Sequence, residues 1–435
     1  MPCTVVIPFR PESAATAVTL ALAAQQAGHP VVLAGPQPLE LPGARSVQAD
    51  SRDDAVREGL RAVQTPLALV HAADVPWQAA DAQALLRPLE ADAADATFAA
   101  PTDGLPLVEK GLSQLARAVT GVDLPDAFPA LRGFKLDAVR PQLERSSGST
   151  EVDTELLVRL AAQAFRLVPV PVDTPRPETP LPLQWQRAQA LVRYLGLQND
   201  AENVHEGYNT LARMESAPHY NAWLAAQFRP WLGARVLEVG AGIGTMTQQL
   251  APGRELLVAL ELDAFYVERL RNLFRDTPNV RPVLSGVEQA DWERLRTERF
   301  DSVVMSNVLE HIEDDVGALR NLRSVLPEGG RLVLFVPALQ GVFGSLDEAV
   351  GHHRRYEEGP LRSVMEQAGF EVEHLRWMNL VGIPGWFLNS RLLRRRTMPP
   401  LQLRAFDVVA PLLAAAESKV ALPVGLGLFA VGRAR

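Results

Sequence analysis

Three glycines at alternate positions mark the most informative stretch of the chain. The residues VLEVGAGIGTMTQQL, 236–250, combine an apolar run, the glycines at 240, 242 and 244, and a helical pattern. This order predicts a strand, a tight turn and a helix. Glycine-rich turns of this kind present backbone N–H groups at the start of a helix, where phosphates and nucleosides bind.

The spacing of these glycines narrows the class of ligand. Dinucleotide-binding turns follow G-x-G-x-x-G, whereas here Gly244 comes one residue early and Thr245 takes the third position. The lysine of a phosphate-binding P-loop is also absent from this turn. A dinucleotide-dependent oxidoreductase is therefore the weakest alternative for this protein.

Two carboxylates accompany the turn. Glu238 lies two residues before Gly240, and Glu261 ends the following strand-like run, 21 residues after the same glycine. A carboxylate at the end of that strand can accept hydrogen bonds from the hydroxyls of a ribose. Asp263 is a nearby alternative for this role, and a solvated strand end is the purely structural interpretation of Glu261.

The pattern E-x-G-x-G-x-G with an acidic strand end resembles the first motifs of class I S-adenosylmethionine (SAM)-dependent methyltransferases of types 11 and 12. The resemblance covers residues 205–435. It implies SAM as the cofactor and a Rossmann-like fold with a mainly parallel, seven-stranded sheet. By this resemblance the cofactor-binding residues are Glu238, Gly240, Gly242, Gly244, Glu261, Leu262 and Asn307.

Two further segments carry side chains that can act on a methyl acceptor. FDSVVMSNVLEHIEDD resembles the fourth-strand motif of the same family, with Asn307 at the strand end and Glu310 and His311 opening the next helix. GHHRRY, residues 351–356, resembles a stretch found in methyltransferases of types 11 and 12. A hydroxyl or amine acceptor benefits from a general base. The predicted catalytic residues are His311, His352, His353 and Tyr356.

Each of these residues also has a structural interpretation, as part of the pocket wall or of a basic surface turn. No set of Cys, His and Asp residues shows the sequence spacing of metal ligands. The sequence therefore predicts no metal site.

Strand-like and helical runs alternate through both halves of the chain, which predicts an α/β fold with mainly parallel sheets. A chain of 435 residues is long enough for two or three domains. Six prolines between residues 168 and 184 predict a break in regular structure. We therefore expect domains at 1–178 and 205–435, joined by a Pro-rich linker and connecting helix at 179–204.

The N-terminal domain resembles an α/β sandwich of the glycosyltransferase-A (GT-A) type, in particular glycosyltransferase family 2. The stretches that carry this resemblance are TVVIPFR, ALVHAADVP and STEVDTELLVRLAAQAFRLVPVPV. An Asp-x-Asp pair that holds Mg²⁺ is reduced to Ala72, Ala73 and Asp74. A degenerate domain is the expected outcome, and a metal bound by Asp74 with Asp153 or Glu155 is the alternative.

Composition bears on compartment and partners. The net charge of −8 argues against nucleic-acid binding. The single cysteine, Cys3, fits a reducing compartment. No apolar run reaches the roughly 18 residues of a membrane span. We expect a cytoplasmic protein of bacterial origin.

The last 45 residues reverse this charge, with eight basic residues against two acidic ones. Trp386 and Phe387 lie shortly before Arg391 and Arg394. Such a segment suits an anionic, lipid-linked acceptor or peripheral contact with a membrane. It suits a lid over the pocket or a homodimer contact equally well.

Together these features predict methyl transfer from SAM to a small molecule, a glycan or a lipid-linked sugar, with oxygen as the expected acceptor atom. One alternative is a bifunctional glycosyltransferase and methyltransferase. Another is a non-catalytic SAM-binding scaffold.

Overall fold

The computed structural model describes residues 1–102, 105–120, 125–126, 128–144, 152–173, 184–189, 191, 211 and 214–435. The chain forms two compact units, Met1–Val204 and His205–Arg435. Each unit is an α/β structure built on one seven-stranded sheet. Of the predicted linker and connecting helix, 179–204, only residues 184–189 and 191 are described, and they are helical.

The first unit has the strand order β3-β2-β1-β4-β6-β5-β7. Its described strands are β1 (Cys3–Pro8), β2 (Val31–Gly35), β3 (Ala44–Gln48), β4 (Leu67–His71), β5 (Ala96–Pro101), β6 (Leu131–Lys135) and β7 (Leu167–Val172). Its described helices are α1 (Ala14–Gln26), α2 (Arg52–Ala62), α3 (Ala79–Glu90), α4 (Leu107–Thr120), α5 (Leu136–Glu144) and α6 (Val152–Ala162). Only β6 is antiparallel to its neighbours in this sheet, so the sheet is mixed but mainly parallel.

Three of the strands that the sequence predicted in this unit are buried along their whole length. Every residue of β1, β2 and β4 is buried, as continuous apolar strands of a parallel sheet covered on both faces should be. The sequence did not predict β3, β5 or β6. The prediction of an edge strand at FRLVPVPV is confirmed, because among the described strands β7 pairs with β5 alone and lies at the end of the sheet. An edge position tolerates Pro169 and Pro171.

The second unit has the strand order β10-β9-β8-β11-β12-β14-β13. Its strands are β8 (Arg235–Val239), β9 (Leu256–Glu261), β10 (Val280–Leu284), β11 (Ser302–Ser306), β12 (Arg331–Pro337), β13 (Phe370–Met378) and β14 (Gly427–Ala434). Only β14 is antiparallel to its two neighbours. The predicted mainly parallel sheet and the predicted last strand are confirmed, whereas β13 was not predicted.

Helices and short helical turns connect these strands. The described helices are α7 (Pro218–Phe228), α8 (Thr245–Leu250), α9 (Ala264–Leu273), α10 (Trp292–Arg296), α11 (Asp315–Ser324), α12 (Ser345–Ala349), α13 (Glu358–Gln367), α14 (Gly382–Phe387) and α15 (Pro400–Glu417). A π-helical turn, Leu388–Leu392, follows α14. Among the described residues, no helix combines the length and the apolar character that crossing a membrane requires.

The sheet of the second unit positions the site. Strand β8 lies between β9 and β11, and all three run parallel. Their carboxyl ends therefore meet at one edge, where open α/β sheets bind their ligands. The glycine turn follows β8, Glu261 ends β9, and Asn307 follows β11.

Candidate active site

The glycine turn adopts a backbone that requires glycine. Gly240, Gly242 and Gly244 have φ values of +72°, +54° and +92°, in the left-handed region that other residues rarely enter. A Cβ on Gly240 would lie 2.3 Å from Cγ2 of Val308. The turn after β8 therefore packs directly on the segment after β11, and this contact joins the two halves of the candidate site.

Glu261 is buried at the end of β9 and faces the glycine turn. The amide of Gly242 donates to its Oε2 at 2.7 Å, and the amide of Asp263 donates to its Oε1 at 3.0 Å. Burial raises the pKa of this carboxyl. The alternative residue, Asp263, accepts from the amide of Phe265 and caps α9. Leu262 is 69% exposed beside them.

Glu238 lies within β8 and is only 4% exposed. Burial raises the pKa of its carboxyl to about 8. Its Oε2 has no hydrogen-bond partner among the described residues. A buried carboxyl oxygen without a hydrogen-bond partner is costly, and this oxygen lies beside the glycine turn that follows β8.

Asn307 follows β11 with a φ of +52°. Asparagine tolerates this left-handed conformation better than most residues. The Asn307 amide donates to the carbonyl of Phe335 at 2.8 Å, while its side chain is exposed. This kink at the strand end directs the chain into the short helical turn Leu309–His311. The predicted helix start at Glu310 and His311 is therefore a single 3₁₀ turn, and α11 begins at Asp315.

The structure brings two of the predicted histidines together with Glu310. One carboxylate oxygen of Glu310 and one ring nitrogen each of His311 and His352 all lie within 4.8 Å of one another. The rings of His311 and His352 are 4.7 Å apart and nearly perpendicular. Desolvation and the neighbouring His352 lower the pKa of His311 to about 4. Burial raises the pKa of Glu310 to about 8.

A buried aspartate, Asp347, contacts His352 on the side away from Glu310. Asp347 accepts from Nδ1 of His352 at 2.9 Å and from Nε of Arg355 at 2.8 Å. The Gly344 amide and the Trp386 indole also donate to it. Desolvation raises the pKa of Asp347, but the hydrogen bond from His352, the charge of Arg355 and the Gly344 amide outweigh it and lower the pKa.

His353 and Tyr356 point to different places. His353 is exposed, and its amide donates to the carbonyl of Glu310 at 2.9 Å. Tyr356 is buried and its hydroxyl donates to Oδ2 of Asp315 at 2.8 Å. Burial raises the pKa of Tyr356 far above its ordinary value. The Tyr356 hydroxyl is thus committed to Asp315.

The stretch YNTLARMESAPHYNAWL, residues 208–224, resembles the lead-in helix of the same family, which implies Tyr208, Met214 and Tyr220 as lid residues, with plain packing as the alternative. Tyr208 lies outside the described residues. Tyr220 makes edge contacts with Trp223 and Phe406. Leu211 approaches the turn, since a Cβ on Gly242 would lie 3.3 Å from its Cδ1.

Sequence reasoning missed Asp347, Arg355 and Trp386. Asp347 lies five residues before His352 on a short helix. The local sequence SLDEAVGHH gives no sign that this aspartate is buried rather than exposed. Burial of Asp347 and its convergence with Trp386, 39 residues later, are visible only in the tertiary structure.

The first unit does not assemble a carboxylate cluster at Asp74 from the residues described. Asp74 is exposed just after β4. Glu155 is buried and its Oε1 accepts from Nε of Arg159 at 2.8 Å. The side chain of Asp153 lies outside the described residues.

Known proteins resemble the second unit. A family model described as a methyltransferase domain matches residues 198–375. The ubiquinone biosynthesis O-methyltransferase of Xanthomonas axonopodis pv. citri is 32% identical over 171 residues, which cover 36% of this chain and 70% of that protein. An uncharacterized methyltransferase of Mycobacterium tuberculosis is 33% identical over 117 residues, 27% of this chain. The chain spans only about half, 56%, of the length of that mycobacterial relative.

Solved structures give weaker likenesses. A SAM-dependent methyltransferase from Mesorhizobium loti has a TM-score of 0.34 at 16% identity, over 48% of this chain and 95% of that chain. A SAM-dependent methyltransferase from Clostridium acetobutylicum has a TM-score of 0.34 at 10% identity, over 57% and 99%.

The second unit has a Rossmann-like α/β fold, with the glycine turn and Glu261 at the carboxyl ends of its parallel strands. The chain belongs to the methyltransferases of the SAM-dependent class. Its cofactor is SAM.

The residues present fit this cofactor. The turn between Gly240 and Gly244 carries no side chain at the glycine positions, Glu261 offers a buried carboxylate, and Oε2 of Glu238 is free among the described residues. Carboxylates suit both the ribose hydroxyls and the ammonium group of SAM.

Proposed function

We propose that the second unit transfers the methyl group of SAM to an oxygen of an acceptor bound beside Glu310, His311 and His352. The contact between Gly240 and Val308 carries this proposal, because it places the glycine turn directly against the segment that leads to Glu310. When bound, SAM supplies an electrophilic methyl group on a sulfonium that is a good leaving group.

The residues of the turn hold and orient the cofactor in this proposal. Glu261 accepts from the ribose hydroxyls, and Glu238 accepts from the ammonium group. Gly240, Gly242 and Gly244 let the backbone approach closely, while Leu262 and Asn307 line the edges. Fixing two reactants in line contributes several kcal/mol to lowering a barrier.

The cluster after β11 acts on the acceptor. His311 is exposed, and its lowered pKa keeps the ring neutral near pH 7. A neutral ring nitrogen can accept a proton or a hydrogen bond from the polar group of the methyl acceptor. His352 is oriented by Asp347. Tyr356 fixes the loop through Asp315, which makes it a positioning residue, and exposed His353 lies at the rim.

Titration with S-adenosylhomocysteine tests the cofactor site. We expect micromolar binding that Glu261→Ala and Gly242→Asp each abolish, since one variant removes the ribose acceptor and the other fills the turn. The exposed residue Glu328 provides a matched control, and Glu328→Ala should bind like the parent protein. Failure of the parent protein to bind would contradict the proposal.

Turnover separates an enzyme from a scaffold. Radiolabelled SAM incubated with cell-envelope precursors should yield a labelled product that disappears with the Glu261→Ala variant. Binding of S-adenosylhomocysteine without transfer to any acceptor pool would favour the non-catalytic SAM-binding alternative.

We also propose that the acceptor is anionic and lipid-linked, because one surface of this unit suits a membrane. Eleven of the eighteen large apolar side chains that are exposed in the described residues lie between Leu380 and Val420. The exposed cations of the same segment are Arg391, Arg394, Arg395, Arg396, Arg404 and Lys419.

No acidic side chain is exposed in residues 380–420, all of which are described apart from one proline side chain. Asp407 and Glu417 are buried, and each accepts from backbone amides. On α15, Leu401, Val408 and Leu412 form an exposed stripe at helical spacing. Within this segment the exposed apolar residues are accompanied only by cations, a composition that suits anionic bilayers, with about 1 kcal/mol from each Lys or Arg near the surface.

Vesicle flotation tests this surface. The protein should float with vesicles that contain phosphatidylglycerol and remain behind with phosphatidylcholine alone. Arg394→Glu combined with Arg396→Glu should abolish flotation, whereas Arg271→Glu, an exposed arginine on α9, should leave it unchanged. Concentration-dependent dimers with no flotation would show that a second copy covers this surface instead.

For the first unit we propose a degenerate GT-A-like domain, 1–178, that binds a glycan or a sugar nucleotide without turnover. Support comes from the isolated Asp74 and from the pairing of Glu155 with Arg159. The bifunctional alternative requires metal-dependent hydrolysis of a sugar nucleotide that is lost in Asp74→Asn. Weak binding without hydrolysis would support the degenerate domain.

A further inference from the structure

Glu310, His311 and His352 form a compact set of metal-binding groups. Their ligand atoms lie within 4.8 Å of one another, and Oε1 of Glu310 is 3.7 Å from Nε2 of His352. Three ligand atoms bound tetrahedrally to one zinc ion are about 3.4 Å apart. Small side-chain rotations therefore bring all three to coordination distance.

The carboxylate of Glu310 lacks a partner of its own. Glu310 is 0% exposed, and neither oxygen has a hydrogen-bond partner among the described residues. The nearby cation Arg355 is committed to Asp347 and to the carbonyl of Ala338. A buried carboxylate without a hydrogen-bond partner is strongly unfavourable, so Glu310 is either protonated or faces a cation, and the two imidazoles beside it supply the other ligands of a cation site.

Asp347 orients His352 in the way that metal-binding histidines are usually oriented. Asp347 holds Nδ1 of His352 at 2.9 Å, which leaves Nε2 with its lone pair toward Glu310. A carboxylate or carbonyl that fixes the far nitrogen of a histidine is the usual outer shell of a metal site.

We propose that Glu310, His311 and His352 bind one divalent transition-metal ion, with Zn²⁺ as the best match. Two imidazoles and one carboxylate are a donor set that such ions favour, and three protein ligands leave a coordination position open. His311 is exposed, so an oxygen ligand can reach that position from solvent. The role of the ion rests on the proposed function, because the open position would then take the acceptor's oxygen.

Cobalt substitution tests the site directly. The full-length protein, first stripped of metal by a chelator, is titrated with Co²⁺ while its visible absorption is recorded. We expect one Co²⁺ per chain with the intense bands of a four- or five-coordinate ion, displaced by Zn²⁺. Glu310→Gln and His352→Gln should each weaken binding at least tenfold.

His353→Gln is the matched control, because His353 is adjacent in sequence but exposed and outside the cluster. It should keep the Co²⁺ spectrum. If Glu310→Gln unfolds, His311→Ala at an exposed position replaces it as the test. The proposal would be overturned if the protein did not bind Co²⁺, or if Co²⁺ binding survived in all three ligand variants. Either result would indicate a cluster without a metal ion, in which Glu310 is protonated.

The same protein samples are titrated with S-adenosylhomocysteine. The cofactor residues Glu238 and Glu261 are not part of the cluster. Loss of metal binding therefore does not require loss of cofactor binding, and the reverse also holds. Normal cofactor binding without metal would reject the metal site alone. Metal binding without cofactor binding would reject the proposed methyl transfer and leave the metal site standing.

Asp347→Asn tests the outer shell. Loss of the carboxylate behind His352 should weaken Co²⁺ binding 10- to 100-fold without changing its stoichiometry, by analogy with other outer-shell partners of metal ligands. Unchanged affinity in a folded variant would remove the orienting role of Asp347.

Discussion

Glu238 lies in a strand whose other inner residues are apolar, and its carboxyl has one unused oxygen among the described residues. Packing alone would favour a hydrophobic side chain at this position. Natural sequences depart from local consistency mainly at functional sites. The cofactor role proposed for Glu238 explains why the departure is found here, beside the glycine turn.

The raised pKa of Glu238 predicts a pH-dependent stability. The native state binds this proton more tightly than the unfolded state, whose pKa is near 4.5. The contribution of the neutral carboxyl is therefore complete below about pH 4.5 and is lost as the pH rises through about 8. Urea unfolding of Glu238→Gln should show a stability gain over the parent that grows from about pH 5 to pH 9.

The parent protein with S-adenosylhomocysteine provides the control for this measurement, because a bound ammonium group should hold Glu238 ionised and flatten its pH dependence. A difference between variant and parent that stays constant over this range would contradict the burial argument.

Local sequence and tertiary structure contribute differently to the site residues. The left-handed glycines were predictable, because the turn type needs them whatever surrounds it. The free carboxylate of Glu310 was not, because its isolation depends on Arg355 being held by Asp347 and Ala338. The expectation of no metal site rested on sequence spacing, and Glu310 and His352 are 42 residues apart.

At the scale of elements, α15 supplies a cap to α7. Helix α7 begins at Pro218 after Ala217, a residue with no side-chain acceptor. The amide of Tyr220 instead donates to Oδ1 of Asp407 at 2.9 Å, and His219 contacts the other oxygen. The C-terminal helix thus closes an otherwise open helix N-terminus.

Removal of this cap should destabilise the second unit. Asp407→Ala leaves the Tyr220 amide without its acceptor, and we expect a loss of about 1–3 kcal/mol in the free energy of unfolding. Hydrogen exchange should show lost protection in the first turn of α7. Val408→Ala, on the exposed side of the same helix, is the control. A loss of stability in Val408→Ala as large as that in Asp407→Ala would show that the loss does not come from the cap.

Three of the strands that the sequence did not predict have weak local signals. Strand β3, ARSVQ, has no buried residue, and β6, LRGFK, has a glycine at its centre. Pairing to neighbouring strands overrides these weak local preferences. Strand β13 likewise pairs with β14 through a bulge near residues 372–374, which breaks the simple alternation that signals a strand.

At the scale of the whole molecule, each unit has its own sheet and its own hydrophobic core. We therefore expect two transitions in calorimetry. S-adenosylhomocysteine at a hundredfold excess over its dissociation constant should stabilise one of them by about 2.7 kcal/mol and leave the other in place. Glu261→Ala should remove that shift. One transition that moves as a whole would show that the two units unfold together.

The sequence by itself determined the α/β class, the glycine turn with its two carboxylates and the resemblance to methyltransferases. Those features depend on short spacings and on backbone conformations that neighbouring residues impose. Only the tertiary structure decided that Glu310, His311 and His352 converge, that Asp347 is a buried anchor, and that the exposed surface of residues 380–420 carries cations without anions. These properties arise from contacts between residues distant in sequence and from burial, which a linear pattern does not contain.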